Sequence, residues 1–60
     1  MIVKTVGLTT RTTFWKSFDE LIKFAKLRGW SYDMVNQDFG GYKALKIDKG
    51  YEIAYYSIEG

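Results

Sequence analysis

A chain of 60 residues with neither cysteine nor histidine has no disulfide, thiolate or imidazole with which to staple a small fold, and its composition implies no cofactor. Its 47% hydrophobic, 18% aromatic and 27% charged content argues against disorder, so a single domain over residues 1–60 is expected. The net charge of +2 is too small to indicate nucleic acid by itself, and no apolar run approaches the roughly 20 residues of a membrane span. A cytoplasmic protein with no membrane partner is the simplest expectation.

The opening MIVKTVGL is rich in β-branched residues and reads as a strand. TTRTTFWK, which follows, is a poor helix former and reads as a long connection whose Trp15 staples the entrance of the next element. That element, Ser17 to Trp30, is the best specified in the chain. Ser17 is a cap, with Glu20 three residues on to complete a capping box and Asp19 favourable to the helix dipole. Phe18, Leu21, Ile22 and Ala25 form an apolar stripe at helical spacing, while Gly29 and Trp30 supply a Schellman-type stop. Phe24 and Leu27 fall about 110° and about 170° from the centre of that stripe.

WSYDMVNQ then alternates Trp30, Tyr32 and Met34 against Ser31, Asp33 and Val35, as a half-buried strand does. The loop NQDFGG leads into YKALKID and YEIAYYSI, joined through Asp48, Lys49 and Gly50. A three-residue loop with a bulge at Gly50 would set Ile47 against Tyr51 and Leu45 against Ile53. In that register Leu45, Ile47, Tyr51, Ile53 and the Tyr55 ring face the core, and Tyr42, Ala44, Lys46, Glu52, Ala54, Tyr56 and Ile58 lie opposite. The expected fold is α+β, in the order β-α-β-β-β, with one helix packed on one face of a mainly antiparallel sheet.

The run DELIKFAKLRGW followed by three strands resembles the helix and first strands of small mRNA-interferase toxins with a double-stranded-RNA-binding-like fold. Those carry a Gly-Ser-His signature on the following strand, where this chain has Phe39, Gly40, Gly41 and Tyr42. The resemblance therefore implies a fold analogy and no activity.

Composition argues against catalysis, because general acid-base work falls most often to His and nucleophilic work to Cys or a base-assisted hydroxyl. Asp33 with Asp38, or Asp48 with Glu52, are the carboxylate pairs left, and a domain this small has little interior in which to raise a carboxyl pKa. Binding is what remains. The first expectation is a protein-binding module, a homodimer without catalytic activity, of the kind small phage or plasmid genes encode to inhibit a host enzyme such as a defence nuclease. Its partner site would be Tyr42, Lys46, Tyr56 and Ile58 on the far side of the sheet, since aromatic side chains dominate interface energetics. The alternative is a nucleic-acid binder. Residues 1–30 carry six cations against Asp19 and Glu20, and Arg11, Lys16, Lys23, Lys26 and Arg28 would then meet phosphates.

Overall fold

Thr9 to Thr12, read from sequence as part of a connection, pairs as a strand, so the chain folds as one strand more than the pattern announced. The computed structural model describes residues 1–36 and 43–58. In order these form β1 (Ile2–Val6), β2 (Thr9–Thr12), α1 (Phe18–Arg28), β3 (Ser31–Asn36), β4 (Lys43–Asp48) and β5 (Ile53–Ile58). Residues 37–42, which hold the rest of the NQDFGG loop after Asn36 together with Tyr42, lie outside the described residues.

The additional strand has a local cause. Pairing Val6 with Thr9 leaves Gly7 and Leu8 as a two-residue hairpin loop. Gly7 holds φ +58°, the positive value that a type II′ turn asks of its first central residue. β2 is exposed along its whole length, so no apolar alternation advertised it.

The sheet is antiparallel throughout, in the spatial order β2-β1-β5-β4-β3, with β2 and β3 as its two edges. The helix lies on one face, giving the α+β architecture of one helix on an antiparallel sheet. Ser17 Oγ accepts the Glu20 N–H at 3.3 Å, which satisfies one of the orphan donors of the first turn. At the far end Gly29, at φ +75°, donates to the Lys26 carbonyl, and Trp30 N–H donates to the Ala25 carbonyl at 2.9 Å, the two bonds of a Schellman stop. Ser17→Ala is expected to cost about 1 kcal/mol in a urea unfolding titration; no change would mean that the cap is not formed in solution.

From this helix Leu21 and Ala25 are buried against Ile2, Leu45, Ile47, Ala54 and Tyr56, with Val6, Trp15, Phe18, Ile22 and Trp30 packed around them. That list corrects the expected β4–β5 register. The strands pair Asp48 with Ile53, Ile47 with Ala54 and Leu45 with Tyr56. The connection is thus four residues, Lys49 to Glu52, closed by a Lys49 N–H to Glu52 carbonyl bond of 2.9 Å. Asp48 Oδ1 accepts the Gly50 N–H at 2.8 Å, and Gly50 takes φ +90°. The odd offset turns β5 over. Ala54 and Tyr56 point to the helix, while Tyr51 and Ile53 are exposed and Tyr55 is half-buried on the opposite side.

Candidate partner-binding surface

Strand pairing and the core residues Ile2, Leu45, Ile47, Ala54 and Tyr56 fix what each face of the sheet presents. On the helix side, across the strands from β2 to β3, one row runs Arg11, Lys4, Tyr56, Leu45, Met34; the next pairs Thr9 with Val6 and, across β5, β4 and β3, runs Ala54, Ile47 and Tyr32. On the open side the corresponding rows are Thr12, Val3, Ser57, Ala44, Val35 and Thr10, Thr5, Tyr55, Lys46, Asp33. The open side is therefore built mostly of short side chains around one tyrosine. Thr5 and Thr10 hydroxyls sit 3.4 Å apart across the β1–β2 pair.

The four residues expected to form one site are not brought together. Tyr42 lies outside the described residues, Lys46 is half-buried on the open side, and Tyr56 and Ile58 belong by register to the helix side. Tyr56 is only 4% exposed and is part of the core, which corrects its placement on an outer surface. Burial pushes its phenol above the ordinary value of 10.0, with the Lys4 ammonium opposing that shift and the Glu52 carboxylate adding to it. Ile58, at the end of β5 opposite Ile2, stays exposed.

The cations proposed for phosphate contacts are spread along the chain. Arg11 is at the centre of the exposed edge strand β2, and Lys16 precedes the helix. Arg28 and Lys26 rest on aromatic rings instead of standing free, at 5.1 Å from Phe24 and 5.9 Å from Tyr32. Lys49 likewise lies 4.7 Å from the Trp30 ring and 3.3 Å from Glu52, which Lys4 also approaches to 3.5 Å. The Lys49 hydrogen bond, helped by Lys4, holds the Glu52 carboxyl below its usual 4.5.

Phe24, which helical spacing put off the core stripe, is enclosed by Trp15 at 5.3 Å and Trp30 at 5.5 Å between ring centroids. This trio consumes aromatics that looked surplus in the sequence. Those left over are elsewhere. Phe14 is fully exposed beside a shallow depression of about 460 Å³ lined by Thr13, Trp15 and Glu20. Leu27 is 83% exposed on the crest of the helix, and Tyr32 and Met34 are 40% and 45% exposed on the edge strand β3. Sequence alternation marked Tyr32 and Met34 as a half-buried pair; that they border the sheet depends on strand order, which alternation does not encode.

No protein-family model, curated protein or solved structure matches the chain. The likeness to the interferase toxins thus stays a matter of a dozen residues of helix and helix stop. Among the described residues no helix is long and apolar enough to cross a membrane, and no group of three His, Cys, Asp or Glu side chains could hold a metal ion.

Proposed function

We propose that this protein is a non-catalytic binding module that acts on another protein by covering part of its surface, the mode of action of a small inhibitor. The supporting observation is the size of the apolar side chains that the fold leaves outside after its core is complete. Leu8, Phe14, Leu27 and Tyr51 all stand more than four-fifths exposed, in addition to the half-exposed pair on β3. Leu8, Phe14, Leu27 and Tyr51 stand singly in different parts of the fold, as exposed apolar residues often do, whereas Tyr32 and Met34 are neighbours on one face of an edge strand, and that contiguous pair points to an interface. Several cations favour the same reading, since Arg28 and Lys49 lie against rings and Lys4 and Lys49 against Glu52.

Purification of the protein from its source cells under native conditions tests this reading. A protein that stays bound in fixed proportion through nuclease digestion and high salt is the expected result; a second copy of the chain counts as such a partner and would make the melting temperature rise with concentration. Loss of all bound material on nuclease treatment, with affinity falling linearly in log salt, would replace the reading by nucleic-acid binding.

A further inference from the structure

The geometry points to the outer edge of β3 as the docking site for an extended, acidic segment of a partner protein, which would pair with it as a sixth strand of the sheet. This inference rests on the protein-binding reading above and names its site and partner chemistry.

The two edges of the sheet differ in what they offer an incoming strand. β2 is four residues long, carries Arg11 and threonines, and is exposed on both faces, features that discourage edge pairing. β3 is six residues long, and among the described residues β4 is its one neighbour in the sheet. Its helix-side residues Tyr32 and Met34 are apolar and roughly half exposed, so an added strand would complete their burial as well as pair the backbone.

Charge selects the occupant. The Lys26 ammonium lies over the Tyr32 ring at 5.9 Å, which places that flank of the helix along β3. Lys23, one turn earlier, is its neighbour on the same flank and is exposed. Lys43 adds a further ammonium on this side of the sheet, two residues along β4 from Leu45, the cross-strand partner of Met34. Of the described anions, Glu20 lies three residues before Lys23, and Asp33 lies on β3 itself, turned by register to the open side of the sheet and away from these three. A strand laid beside β3 thus meets two apolar side chains under a basic overhang on the helix side, so the residues it turns to that side, every second one along it, would be apolar and acidic by turns. A second copy fits poorly, because antiparallel β3–β3 pairing about a two-fold axis would turn the Lys23 and Lys26 flanks of two helices toward each other.

Synthetic peptides of about eight residues, long enough for one strand, provide the probe. One carries Val and Glu by turns at every second position with Thr at the positions between, one replaces each Glu by Lys, and one is the Glu peptide N-methylated at alternate amides. Amide shifts in the full-length protein should move along Tyr32, Asp33, Met34 and Val35 with the Glu peptide, which should bind at least about tenfold tighter than the Lys peptide. Lys23→Glu combined with Lys26→Glu should reverse that preference while leaving the melt unchanged, and the N-methylated peptide should not bind. Equal affinity for the two charge forms, shifts confined to other elements, or self-association through β3 would each overturn the proposal. Should the peptides fail while a nuclease-resistant protein partner survives both lysine reversals, the docking site is wrong and the protein-binding reading stands. Should a single-stranded oligonucleotide bind instead and be abolished by the same reversals, both fall together.

Discussion

Tyr56→Ala is expected to cost about 3–5 kcal/mol of folding stability, enough to unfold much of a population whose total stability is on the order of 5 kcal/mol. The ring is buried between Lys4 on β1 and Leu45 on β4, under the helix residues Leu21 and Ala25, so truncation leaves a cavity at the centre of the only hydrophobic cluster the described residues form. Tyr56→Phe should cost far less, because it keeps the ring that fills the core. Urea titrations of the two variants separate the contribution of the ring from that of the hydroxyl. A parent-like Tyr56→Ala melt, combined with weakened partner binding, would put this residue on an interface and overturn the register of β5.

The same burial carries a pH signature. A phenol whose folded pKa lies above its unfolded value contributes stability that is complete below about pH 10 and is lost as the pH rises through the folded pKa. Tyr56→Phe should therefore flatten the alkaline end of the stability profile.

How much of this was legible beforehand differs from element to element for physical reasons. The helix is written locally: Ser17, Glu20, Gly29 and the Phe18–Ala25 stripe each act within a few residues, and Ser17, Gly29 and the stripe do in the fold what their spacing implies. The register of β5 is not local. Ile53 and Tyr55 are apolar, but so are Ala54, Tyr56 and Ile58, so alternation alone leaves both faces eligible for the core. The Asp-Lys-Gly turn chemistry favoured a three-residue loop, and tertiary packing decided otherwise. Ala25 and Ala54, both without exposed surface, let helix and sheet approach closely, whereas a bulky Ile53 at that position would hold them apart. For the candidate site, the residues of β3 were visible as an alternating strand, and their exposure followed only once β5 was seen to insert between β1 and β4 and leave β3 at the margin.

Trp30→Ala is the second change expected to act strongly, by about 2–4 kcal/mol, although the residue is only partly buried. Three contributions meet at this side chain. The ring anchors the residue just past the helix end, where the backbone N–H of Trp30, kept in the alanine variant, closes the Schellman stop on the Ala25 carbonyl at 2.9 Å and an apolar contact commonly accompanies that motif. The ring meets Phe24 edge-on at 5.5 Å, and Phe24 in turn meets Trp15, so removal opens one side of the trio that ties the segment before the helix to the segment after it. Finally, Lys49 lies over the ring while it also pairs with Glu52, coupling the helix end to the β4–β5 connection. Trp30→Phe keeps an aromatic face for both neighbours and should recover more than half of the loss. The decisive readout is the double variant Trp30→Ala with Phe24→Ala, whose combined cost should fall short of the sum of the single ones because the two rings share a contact. Strict additivity would show that Trp30 acts through the helix stop alone, and a negligible loss in Trp30→Ala would mean that the trio is not packed in solution and is open to a partner.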